Sequence, residues 1–131
     1  MSRENVEVVR ALFQAWNARD MTSFYALHDP NVIWARLEGW PEAETLVGLE
    51  ACRGQWERMR SAFDHDTAEL IGDPVASGDR VVGRFLWRGT GQGPDMNLEL
   101  TAVLTVRKGK IFFIEHFWDH AEALEAIGLT Q

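Results

Sequence analysis

Three polar side chains on segments that read as strands could do chemistry: His116, Arg36 and Glu99. Residues 111–118 read as a strand, so Phe112, Ile114, His116 and Trp118 share one face, and Phe113, Glu115 and Phe117 share the other. An imidazole surrounded by Trp and Phe is kept neutral by desolvation and can exchange protons near neutral pH. The plainer reading is a core histidine hydrogen-bonded to a neighbour. On an earlier strand Trp34 and Arg36 share a face. Arg36 is a permanent cation, able to hold a carboxylate or enolate oxygen by a forked contact. Glu99 lies on the same strand face as Thr101 and could pair with Arg36 or act as a base. A structural ion pair is the favoured reading of these two.

The four histidines, His28, His65, His116 and His120, show no recognised metal-ligand spacing. His116 and His120 are divided by a strand end and a helix start, so they lack the shared helical face of a metalloprotease motif. There is no nucleophile elbow, phosphate loop or dinucleotide fingerprint, and neither metal nor cofactor is expected. Thirteen Lys and Arg against twenty Asp and Glu give a net charge of −7. That balance disfavours nucleic acid, whose phosphates are held by clustered cations. No apolar run approaches the ~20 residues of a membrane span, and the charged start Met1-Ser2-Arg3-Glu4 has no signal-peptide core behind it. The single cysteine, Cys52, cannot form an internal disulfide. A cytoplasmic address is expected.

Positioning these groups falls to a chain of 131 residues, the size of one domain. Val6, Val9, Phe13 and Trp16, with Val8 and Leu12, predict an amphipathic helix over 3–18, with Ser2 placed to cap it. Asp20 can cap a short second helix carrying Phe24 and Leu27 inward. Asp29-Pro30-Asn31 reads as a turn, Val32–Leu37 as the first strand, and Glu38–Glu44 as a loop in which Trp40 is unusual. Cys52, Trp56, Met59 and Phe63 recur along one face of a helix from Leu49 to Phe63. Asp64-His65-Asp66 reads as a polar turn after it. The period then changes: Thr67–Ala76, Arg80–Thr90, Met96–Arg107 and Ile111–Trp118 read as strands joined by short turns, an antiparallel meander. Asp73-Pro74 marks a bulge or an edge within the first of them. Asp119 and Glu122 resemble a capping box opening a last helix that Gly128 stops. Helices first and strands afterwards give an α+β fold, with the helices on one face of an antiparallel sheet.

Several motifs, weak singly, occur in an order that carries a resemblance over nearly the whole chain. They are Glu4–Arg10, Ala15–Asp20, Asp29–Trp34, Gly39–Ala43, Gly48–Ala51 and the tail Ala123–Leu129. In this order the chain resembles the SnoaL-like branch of the nuclear transport factor 2-like superfamily. The resemblance implies a cone: a curved antiparallel sheet with N-terminal helices on its concave face, enclosing a pocket. Members include polyketide cyclases, steroid isomerases, dehydratases and epoxide hydrolases, so chemistry must be argued from the site.

By resemblance to ketosteroid isomerase, the face carrying His116 lines the cone. The same comparison puts Arg36 at that enzyme's catalytic aspartate, Thr101 at the aspartate of its oxyanion hole, and Leu12 at the hole's tyrosine. Steroid-isomerase chemistry is therefore not expected, because these positions supply neither a carboxylate base nor enolate donors. The pocket wall is expected from Trp34, Phe85, Trp87, Thr101, Ile114 and Trp118 on the sheet. Leu12, Trp16, Trp56, Met59 and Phe63 are expected from the helices. The implied activity is acid/base chemistry without a cofactor on a small apolar or polycyclic molecule. His116 would transfer protons, Arg36 would stabilise oxygen, and Glu99 would be a base or an orienting partner. The rivals are a non-catalytic binding module and a dimerisation domain with a plugged cone. Phe113 and Phe117, left on the outer face, point to a homodimer through the outer sheet face.

Overall fold

The computed structural model describes residues 2–40, 44–91 and 93–129. Helix α1 (Ser2–Asn17) buries Val9, Leu12, Phe13 and Trp16, as its apolar stripe predicts. It ends at Arg19, which takes a left-handed φ of 62° and lets the Asp20 N–H reach back to the Ala15 carbonyl. Asp20 then caps α2 (Met21–Ala26), its carboxylate accepting from the Ser23 N–H at 3.1 Å and the Ser23 hydroxyl at 2.7 Å.

Strand β1 spans His28–Trp34, earlier than the expected Val32–Leu37. The Asp29-Pro30-Asn31 turn exists, with the Asn31 N–H on Asp29 Oδ1 at 2.8 Å, but it forms an irregularity inside the strand. A short strand β2 (Leu46–Val47), not foreseen from the sequence, pairs with the end of β1. Gly48 follows with φ 93°, a conformation that favours glycine, and turns the chain into α3 (Leu49–Ser61). The expected strand 67–76 is broken into β3 (His65–Leu70) and β4 (Val75–Ser77) near Pro74, which has no N–H to give to a ladder. Strands β5 (Arg80–Thr90), β6 (Met96–Arg107) and β7 (Lys110–Phe117) follow, and α4 (His120–Ala126) closes the described chain.

Among the described residues, seven strands form one sheet in the order β2-β1-β7-β6-β5-β3, with β4 paired to β5. The ladders are antiparallel except β1–β7, which is parallel, so the meander covers β3 to β7 and β1 is added to its end from the N-terminal half. Register fixes which residues face inward. Phe85 lies opposite Leu100, Trp87 opposite Leu98, Leu104 opposite Ile114, and Ala102 opposite His116. This inner face and helices α1 to α3 share one core. At Phe112 a bulge interrupts the alternation of β7. Ile111 therefore enters the core, whereas Phe112, expected on the His116 face, lies against the Arg107 guanidinium 4.7 Å from its ring centre.

The helices do not all share one face. Helix α4 packs on the outer side, where Ala123 and Ile127 meet Val82, Val103 and Phe117. Strand alternation leaves these apolar groups outside the cone, and α4 removes them from water. Asp119 caps it, accepting from the Ala121 N–H at 3.0 Å.

Candidate functional site

Between the concave sheet and the three N-terminal helices lies a cavity of about 190 Å³. Leu12 and Trp16 from α1, Trp56 and Met59 from α3, and Phe85, Trp87 and Ile114 from the sheet form much of its wall. Trp34 and His116 add to the sheet side, and five polar residues, His28, Arg36, Glu44, Gln55 and Arg58, also line it. Arg36, Glu44 and Arg58 are exposed, which places them at the mouth.

His116 is held by aromatic neighbours. Its Nδ1 accepts the indole N–H of Trp34 at 3.3 Å, and the Phe85 ring stands edge-on at 6.0 Å. Trp34 is stacked in turn on Trp56, 5.2 Å away and inclined by 22°. Burial among these rings pushes the His116 pKa down to about 4. The ring is thus neutral at pH 7. With Nδ1 occupied as an acceptor, Nε2 carries the proton. This corrects the expected proton exchange near neutral pH: the imidazole presents a fixed N–H donor instead.

Four expected site residues lie elsewhere. Glu99 and Thr101 point outward from β6, because Leu98, Leu100, Ala102 and Leu104 take the inward positions. Glu99 pairs with Arg84 on the outer surface at 2.6 Å, so neither the Arg36–Glu99 ion pair nor a Glu99 base is formed. Thr101 is buried beside α4, 3.1 Å from His120 Nδ1. Phe63 sits against Gly89, where an added Cβ would stand 2.6 Å from its ring, and meets Trp87 edge-on outside the cavity. Trp118 follows the end of β7 and is 46% exposed, its indole N–H donating to the Glu38 carbonyl at 2.8 Å. It stacks on Trp40, which does line the cavity and faces Trp87. That accounts for a tryptophan in the 38–44 connection.

A buried carboxylate that the sequence reading placed in a polar turn braces the wall from behind. Asp66, on β3 and 1% exposed, accepts the indole N–H of Trp16 at 2.8 Å and of Trp87 at 2.9 Å on Oδ2. Its Oδ1 accepts from Arg19 at 2.7 Å and Arg60 at 3.0 Å. Arg60 also lies 3.9 Å over the Trp16 ring and donates to the Trp16 carbonyl. A buried charge needs such complete pairing, and here the pairing fixes the planes of two tryptophans. Asn17 adds a two-way bond to the Ala68 backbone, 2.8 Å in each direction, that ties α1 to the edge strand.

Comparison with known proteins agrees with this architecture. The SnoaL-like domain family matches residues 9–114, and the chain belongs to that family. Among solved structures it is similar to Bal32a from a soil-derived mobile gene cassette, at 23% identity over 96% of this chain and 97% of that one, TM-score 0.81. It is similar to an NTF2-like protein of Burkholderia pseudomallei, at 23% identity over 98% and 99%, TM-score 0.78. A third is an LEH-like epoxide hydrolase of M. tuberculosis, at 14% identity over 96% and 90%, TM-score 0.75. At these identities the likeness is one of fold. No curated protein matches the sequence. Among the described residues, no helix is long and apolar enough to cross a membrane.

Proposed function

We propose that the chain takes up a small aromatic or apolar carbonyl compound in the cavity and, without a cofactor, promotes acid/base chemistry on it in which the His116 N–H polarises the carbonyl. The reaction would be of the isomerase, cyclase, dehydratase or hydrolase type. The observation that carries this reading is His116, a neutral imidazole held by Trp34 in a wall of mostly aromatic and aliphatic side chains. An N–H held in place by its neighbours stabilises an oxygen on which negative charge develops, and no reorganisation is needed at the moment of reaction. At about 190 Å³ the cavity is below the ~300–1,000 Å³ of pockets for drug-sized ligands, which favours one or two fused rings over larger polycycles. Arg36 would meet an anionic group at the mouth.

Turnover of a panel of ketones, epoxides and polyketide-like aromatics, followed by NMR, tests the proposal. Loss of one such donor lowers turnover by about 10²-fold, and that is expected for His116→Phe. Undiminished turnover in that variant would remove the role. The binding-module reading also has an observation behind it. Glu99 lies outside the cone, and among the described lining residues the only carboxylate is Glu44 at the mouth. On that reading the ligand binds and is recovered chemically unchanged.

We also propose a cytoplasmic address and a homodimer. Phe117 is covered by α4, so a second copy would meet Phe113 with Ile33 and Val47, which stand opposite one another across β7, β1 and β2. Val47 is 68% exposed. The acidic net charge of −7 favours small molecules over nucleic acid as partners.

A further inference from the structure

Among the described residues, the side chains charged at neutral pH on the cavity wall are Arg36, Arg58 and Glu44, all exposed at the mouth. Two of the three are cations, in a molecule whose net charge is −7. The arginines of helix α3 differ in their partners. Arg53 pairs with Glu57 at 3.3 Å, and Arg60 pairs with the buried Asp66 at 3.0 Å. Arg58 is held by a neutral amide instead, its Nε and Nη2 donating to Gln55 Oε1 at 3.2 and 2.7 Å. The amide orients the guanidinium without cancelling its charge, and both Nη1 hydrogens remain to be given. Arg36 is anchored only through its backbone, its N–H donating to Thr45 Oγ1 at 3.2 Å. Among the described residues neither Arg36 nor Arg58 forms an ion pair, with Glu44 or with any other carboxylate.

Uncompensated guanidinium groups at the rim of an apolar cavity suit an amphiphilic anion, whose ring enters while its acid group stays at the mouth. We infer that Arg36 and Arg58 form a carboxylate subsite, and that the cavity prefers aromatic carbonyl compounds carrying a carboxylate. This rests on the carbonyl-binding reading above and adds a second anchor to the same site. The two anchors differ in their surroundings. His116 is buried among rings and takes the carbonyl oxygen, whereas the arginines are exposed and take the acid. A carboxylate drawn in among Trp34, Trp56 and Phe85 would lose its hydration without compensation, so the ligand enters ring first. Glu44 on the same rim disfavours a doubly charged group such as a phosphate, and a flat carboxylate matches the guanidinium fork.

The experiment titrates the protein with α-tetralone, with isomeric tetralone carboxylic acids and with the methyl esters of those acids, at pH 7 and low ionic strength. Binding is followed by tryptophan quenching. The molecule as a whole, at −7, repels an anion, so a preference for acid over ester reports a local cation. At least one acid should bind about 3- to 10-fold more tightly than its own ester, the share of one or two exposed ionic contacts. The preference should shrink in about 1 M salt, where such contacts are screened. In Arg36→Gln and in Arg58→Gln it should fall toward one, and both changes are at exposed positions. Persistence of the full preference in either variant removes that arginine, and persistence in both overturns the subsite. If α-tetralone binds but no acid outbinds its ester, the subsite is overturned and the carbonyl reading stands. If an acid binds by way of the arginines and α-tetralone does not bind, the subsite stands and the carbonyl reading falls. If none of the compounds binds, both fall together.

Discussion

Asp66 shows how far one side chain can determine a cavity it does not line. Its two oxygens accept from Trp16, Trp87, Arg19 and Arg60, so the charge that costs most to bury also orients two wall residues. Removing one partner of a buried pair costs about 3–5 kcal/mol, because the charge left behind is uncompensated. Asp66→Asn should lose stability on that scale in urea unfolding and red-shift tryptophan emission. Unchanged stability would show that the arginines are solvated independently of Asp66. The two cavity histidines make a separate prediction. Both have a folded pKa of about 4 against an ordinary value of 6.5, so the unfolded chain binds protons first as pH falls. Stability should therefore decline from pH 6.5 toward 4, by on the order of 3 kcal/mol for each histidine at the limit. Denaturant midpoints across that window measure it, and His28→Phe should remove its part of the slope.

The elements were largely legible from periodicity, and the exceptions have local causes. Strands β5 and β6 fall at the boundaries that alternation predicts, and α1 and α3 follow their apolar stripes. Pro74 split a predicted strand, the Asp29–Asn31 turn was absorbed into β1, and β2 is too short to carry a period. Facing was the harder question. In β6 the apolar residues Leu98, Leu100, Ala102 and Leu104 already mark the inward side, which puts Glu99 and Thr101 outside. The resemblance to ketosteroid isomerase, which places Thr101 in the pocket wall, implies the reverse. Similarly, Asp66 shares the alternation of Ala68, which lines the cavity, so reading β3 two residues further back would have found it. Helix α4 had an assignable start but no assignable face. Its position on the outer sheet leads to the prediction that Ile127→Ala costs about 2–5 kcal/mol as a buried truncation. Ligand quenching of the cavity tryptophans should be unaffected. A weakened ligand response would mean that the two sides of the sheet are coupled.

At the scale of the molecule, a helix-backed curved sheet leaves a cavity where its concave face outruns the helices that cover it. The aromatic wall was readable because Trp34, Phe85, Trp87 and Trp56 sit at strand and helix positions whose facing is fixed by period. The polar features were less so. The partners of His28 and His116 come from a hydrogen bond to the preceding helix and one between strands distant in sequence, and spacing reports neither. The most direct test of the central claim is a fluorescence titration of the protein with α-tetralone, repeated on His116→Phe. A carbonyl held by the His116 N–H predicts saturable quenching, with affinity lower by about 3- to 10-fold in the variant. Absence of saturable quenching, or equal affinity in the two proteins, would contradict it.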